Sequence, residues 1–163
     1  MAEEKKPPMI IAVRIKGEPN LTSDVRRALE SLRLRRVHTA ALLRADPNVL
    51  GSLQRIKDVV VWGEVEESTV TKLLKNRAKM KGGGTLSEEF IRKRLDIPNF
   101  DSLARAILND ELKLKDVPGL IPYFRLAPPS RGYVLRAERT RRGRNEITGY
   151  AGSAINDFVS RMV

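Results

Sequence analysis

The chain has 163 residues, of which 41% are hydrophobic, so it is long enough for one ordinary domain with a real core and is not globally disordered. It has no cysteine, which excludes disulfides and thiolate metal sites, and its single histidine, His38, excludes a two-histidine metal site. A net charge of +11 and a pI of about 10.3 favour a polyanionic partner, because each neutralised phosphate releases condensed counterions.

Ala2 to Pro8 is charged and ends in two prolines, so it reads as a flexible tail (residues 1–8). Met9 to Ile15 is rich in isoleucine and valine and reads as a strand. Its apolar run is too short to cross a membrane, and it lacks the long apolar centre and cleavage site of a secretory signal, so a cytoplasmic protein is expected. Gly17 to Asn20 forms a turn. Thr22 or Ser23 caps a helix whose apolar side is Leu21, Val25, Ala28, Leu29 and Leu32, with Asp24 complementing the dipole in the first turn. Val37 to Leu43 is a second strand. Asp46-Pro47 pairs a capping carboxylate with proline at the first helical position, and Val49, Leu50, Leu53 and Ile56 follow at helical spacing. Val59 to Val65 is a third strand, which completes a β-α-β-α-β unit over residues 9–65.

Residues 66–120 read as a helical insertion. One helix runs from a Ser68 cap to about Lys81, where Gly82-Gly83-Gly84 stops it. A second starts at Thr85 or Ser87 and reaches Leu95, and Asp101 or Ser102 opens a third with Leu103, Ala106 and Ile107 inward. Pro118 to Pro129 alternates prolines with apolar residues and reads as an ordered loop with one short strand at Tyr123 to Leu126. Residues 121–163 end in a basic loop and a C-terminal helix, capped by Ser153, that packs Ile155, Phe158, Val159 and Met162 on the core.

Charge is unevenly distributed. Residues 1–63 carry 12 Lys/Arg against 7 Asp/Glu, residues 64–120 carry 11 against 10, and residues 121–163 carry 8 against 3. The two ends of the chain are therefore expected to face the polyanion, and the middle to be an ordinary solvated or protein-facing part. Three arginines, Arg33, Arg35 and Arg36, crowd the exit of the first helix. A helix C-terminus uses one or two cations, and guanidinium forks fit phosphate oxygens. Arg136, Arg139, Arg141, Arg142 and Arg144 form the densest cluster, expected to be mobile alone and ordered on RNA, with Arg131 just before it. Lys16, Arg26, Arg27, Arg55 and Lys57 are each ordinary solvated charges taken singly, and together they suggest a continuous basic surface.

Other patterns read as structural. The triple glycine lacks the Lys-Ser/Thr of a phosphate loop. Glu64, Glu66 and Glu67 have no histidine, cysteine or metal cluster beside them and read as first-turn carboxylates of the next helix. Aromatic residues are scattered and match no base-stacking strand signature. No catalytic or metal-binding set emerges, and neither catalysis nor a cofactor is expected.

The β-α-β-α-β start, with LRLRRV at 32–37 and RADPNVLGSLQRIKDVVVWGEV at 44–65, resembles ribosomal protein L-thirty of the large subunit. PYFRLAPP at 122–129 and the ending Gly152 to Met162 resemble the long archaeal form, related to eukaryotic L-seven. Arg33 stands where a glycine is usual in that family. The resemblance implies an α+β, ferredoxin-like fold with a three-stranded antiparallel sheet, order 3-1-2, and two helices on one face. It also implies a structural, non-catalytic constituent of the ribosome, monomeric within it, that binds large-subunit ribosomal RNA near the 5S RNA region beside other ribosomal proteins. The competing readings are a DNA-binding regulator, for which no helix-turn-helix is evident, and an RNA-processing enzyme, which would need metal-binding carboxylates or a general base.

Overall fold

The computed structural model describes residues 6–17, 19–133 and 148–163. Strand β1 (Met9–Arg14) is central, and five of its six residues are buried. Its alternation sorts them onto two faces. Ile10 and Ala12 join one apolar cluster, and Ile11 and Val13 join another. A strand covered on both sides reads as a continuous apolar run, as this one does.

Strands β2 (Thr39–Arg44) and β3 (Val60–Glu64) pair antiparallel with β1 on either side. The three central strands thus have the order expected from the resemblance. The sheet, however, has five strands, ordered β4-β2-β1-β3-β5. Strand β4 (Phe124–Arg125) adds antiparallel to β2, and β5 (Gly149–Tyr150) adds parallel to β3, so the sheet is mixed. Each added strand has two residues, too few for a period-2 pattern to show in sequence.

Helices α1 (Ser23–Ser31) and α2 (Pro47–Arg55) cover one face, where Leu29, Leu32, Leu34, Leu53 and Ile56 meet Ile10, Ala12 and Trp62. The expectation of helices on one face holds for these two alone. The opposite face is covered as well, by α3 (Glu67–Arg77), α5 (Phe100–Leu108) and α6 (Ile155–Ser160), whose apolar residues share a cluster with Ile11, Val13 and Val61. Helix α4 (Glu88–Leu95) contributes Ile91 to it. The middle of the chain therefore completes the core beneath the sheet.

Several boundaries differ from the sequence reading. Helix α3 is preceded by Glu66, not capped by Ser68, and ends at Arg77. The chain then extends, Lys79 pairs with Thr85, and Gly82 and Gly83, at φ +104° and +98°, form the turn between them. The glycines make a turn; they do not stop a helix. Helix α5 is capped by Asn99, whose Oδ1 accepts from the Ser102 amide at 2.9 Å, so it starts before Asp101 and buries Phe100. Asp46 precedes α2 without a side-chain capping bond. Ser153 lies in a 3₁₀ turn (Gly152–Ala154) that leads into α6.

Two contacts fix α6. Asn156 is buried with its amide satisfied: Nδ2 donates to the carbonyls of Glu64 (2.9 Å) and Ser153 (3.0 Å), and Oδ1 accepts from the Glu66 amide (2.9 Å). Gly63 on β3 admits the backbone of Gly152. A Cβ at Gly63 would overlap the Gly152 carbonyl and lie 2.9 Å from Ile155 Cγ2. The four apolar residues expected on the last helix, Ile155, Phe158, Val159 and Met162, are all fully buried.

Candidate nucleic-acid interface

Antiparallel pairing gathers the basic segments. Val13 pairs with Ala40 and Arg14 with Val60, so β1 finishes where β2 and β3 begin. Lys16, the 32–38 loop that enters β2 and the 55–59 turn that enters β3 all meet at this end of the sheet. The Lys16 amide donates to Val59 O at 3.3 Å, which fixes Lys16 beside the turn carrying Lys57.

A buried arginine organises the same end. Arg14 is 2% exposed. Its guanidinium donates to the carbonyls of Lys16 (3.0 Å), Leu34 (3.1 Å) and Arg35 (2.6 Å). The fork satisfies carbonyls of two loops at once, a task for several fixed donors. The exit of α1 is closed by a Schellman motif. The Arg33 amide donates to Glu30 O (3.0 Å) and the Leu34 amide to Leu29 O (2.8 Å), with Arg33 left-handed at φ +62° and Leu34 fully buried. With Leu34 held inside, Arg33, Arg35 and Arg36 are left exposed.

These three guanidinium groups line a cavity of about 470 Å³ together with Arg125, Tyr123 and Glu30. Strand β4 closes it: Arg125 pairs with Thr39, and the Leu126 amide donates to His38 O at 2.9 Å. The side chains of Arg33, Arg35, Arg36 and Arg125 make no hydrogen bond or ion pair among the described residues. Four unneutralised cations stand around one concavity against the single carboxylate of Glu30, a charge arrangement that suits an anion.

The Ribosomal protein L30p/L7e family model matches residues 10–60, the segment that builds this end of the sheet. Relatives described as large ribosomal subunit protein uL30 align over nearly the whole chain. The protein of Thermofilum pendens is 37% identical, over 95% of this chain and 99% of its own. That of Ignicoccus hospitalis is 36% identical, over 95% and 98%, and that of Methanopyrus kandleri 36%, over 91% and 100%. The chain belongs to the uL30 family.

In this uL30 chain the other expected contact residues fall into four groups. Arg55 and Lys57 are exposed at the same end of the sheet as the cavity but do not line it. Arg131 is exposed in a turn held by the Arg161 guanidinium, which donates to the carbonyls of Ser130 (3.3 Å) and Gly132 (3.2 Å). That turn reaches the start of β2 through Tyr133, whose hydroxyl lies 2.6 Å from His38 Nε2. Arg26 and Arg27 are exposed on α1 and line no part of the cavity. Arg136, Arg139, Arg141, Arg142 and Arg144 lie outside the described residues.

His38 was read as a strand residue. It sits just before β2 at φ +62°, and burial lowers its pKa from the ordinary 6.5. Sequence reading missed Arg14, Tyr123 and Arg125. Arg14 looks like one more surface charge at the end of a strand. Arg125 carried a faint signal, an exposed cation between the buried Phe124 and Leu126. No group of three or more metal-binding side chains occurs among the described residues.

Proposed function

We propose that this protein is a structural constituent of the large ribosomal subunit, which binds ribosomal RNA through the basic end of its sheet and supports its folding and assembly for translation. The observation that carries the reading is the set of four arginines without internal acceptors, carried around one cavity on backbone held by Arg14 and β4, in a uL30 chain. Such groups are held for phosphate oxygens supplied by a partner. Contacts of this kind position RNA by shape and charge, and no aromatic sheet platform is needed.

The finer parts of the reading follow it. The protein works in the cytoplasm as a monomer within the ribosome, near the 5S RNA region and beside other ribosomal proteins, without catalysis or cofactor. Arg26, Arg27, Arg131 and the arginines at 136–144 extend the contact surface. Residues 66–120 form a helical insertion turned away from the main RNA surface, consistent with their balanced charge. Sedimentation of native lysate tests the proposal. The protein is expected to co-migrate with large subunits through a high-salt wash, and recovery only among free soluble proteins would overturn it.

A further inference from the structure

The basic end of the sheet carries a half-open concavity, not a flat basic face. It is a concavity with arginines of the 32–38 loop on one side and Tyr123 and Arg125 on the other. Its volume of about 470 Å³ has room for a nucleotide-sized group. A lone phosphate group would leave most of it empty.

The lining is mixed in a way that suits one particular guest. Arg33, Arg35 and Arg36 supply cations for a phosphate, and guanidinium planes also stack on bases. The Tyr123 ring supplies a flat apolar surface of the kind on which unstacked bases lie. Glu30 adds a polar group at the wall, which can meet the edge of a base. Beyond Tyr123 and Arg125 lies a second hollow of about 140 Å³, lined by the same two residues with Lys79 and Ile121. Tyr123 and Arg125 thus border both hollows.

The backbone that carries Tyr123 is fixed before any ligand arrives. Phe124, next to Tyr123, is fully buried, and the Ile121 amide donates to Lys79 O at 2.9 Å. A wall held by the fold loses little freedom when a base stacks on it.

We propose that this cavity captures a single unstacked RNA nucleotide. Its phosphate is held by the loop arginines, its base lies against Tyr123, and the strand continues over Arg125. The inference rests on the ribosomal RNA-binding reading and adds the kind of RNA element that this site takes, a bulged or single-stranded nucleotide.

The test uses the full chain with three probes: a labelled hexauridylate, a blunt RNA duplex of matching length, and large-subunit ribosomal RNA. Tyr123→Ala is expected to lower affinity for the single strand about tenfold, on the scale of one base–aromatic stack. Tyr123→Trp is expected to retain it, and duplex binding is expected to be insensitive to both. Thermal melting checks the fold of each variant. Tyr123→Leu, which keeps apolar bulk without a flat ring, takes the place of the alanine variant if that one does not fold. Unchanged single-strand affinity in the ring-less variant, or an equal loss for duplex and single strand, overturns the nucleotide site while ribosomal RNA binding by the unaltered chain leaves the wider reading standing. No binding of ribosomal RNA by the unaltered chain overturns both.

Discussion

Arg14 and Arg35 meet through one hydrogen bond of 2.6 Å, in which a buried guanidinium donates to the carbonyl of a residue whose own guanidinium faces solvent. One arginine thereby positions the loop that presents three others. Arg14→Met removes the donors to Lys16, Leu34 and Arg35 but removes no exposed cation. It is expected to destabilise the fold by about 2–4 kcal/mol in urea denaturation, since buried carbonyls lose charge-assisted bonds. RNA affinity should fall with it. A variant of native stability and native affinity would show that the loop holds its shape without the clamp.

Arg33 occupies a left-handed position at a helix end where glycine is unstrained. Arg33→Gly is therefore expected to raise stability by about 1 kcal/mol. It should also weaken RNA binding and reduce the slope of log affinity against log salt by about 1. A gain in stability with no change in the salt slope would mean that the Arg33 guanidinium meets no phosphate.

Charge placement gives a ranking. Affinity for ribosomal RNA should drop about 10³–10⁵-fold between 50 and 200 mM salt if six to ten phosphates are contacted, on a scale calibrated with duplex DNA. Replacing Arg35 and Arg36 by glutamine should weaken binding more than replacing Lys72 and Lys75 of α3. Filter-binding titrations that returned the reverse order would move the RNA surface to the other side of the molecule.

Gly63→Ala places a methyl group against the Gly152 carbonyl and Ile155. The neighbour is backbone and cannot swing aside. The variant is expected to lose roughly 1–3 kcal/mol or more, with β5 and α6 the first elements displaced. Hydrogen exchange should show the loss of protection beginning at α6. Uniform loss across the whole sheet would place the strain elsewhere.

His38 gives a small pH dependence. Its folded pKa lies below 6.5, so the unfolded chain takes up this proton first as pH falls. The stability that neutral His38 contributes is fully present above pH 6.5 and is lost as pH drops from there through the lowered folded value. His38→Asn tolerates the positive φ and does not titrate, so its melting temperature should stay flat across that window while the unaltered chain declines. Parallel curves for the two would assign the decline to other groups.

The β-α-β-α-β order was legible in the residues alone, because Met9 to Ile15 and Val59 to Val65 are rich in apolar residues and a cap signal at Thr22 or Ser23 opens α1. The same letters place three arginines in 33–36, more than one helix end uses, and this motivates the proposed phosphate partner. What only the tertiary structure decided depends on neighbours distant in the chain. The two-residue strands β4 and β5 exist because β2 and β3 offer open edges, not because Phe124–Arg125 or Gly149–Tyr150 prefer extended backbone. The stop at Arg77 follows from pairing between Lys79 and Thr85, which turned the three glycines into a loop. The role of Arg14 was invisible because a buried arginine and a solvated one are the same letter. Burial is set here by the 32–38 loop folding over the strand end. The cavity joins residues 33–36 to residues 123–125 across some ninety positions, a closeness made by the pairing of Thr39 with Arg125.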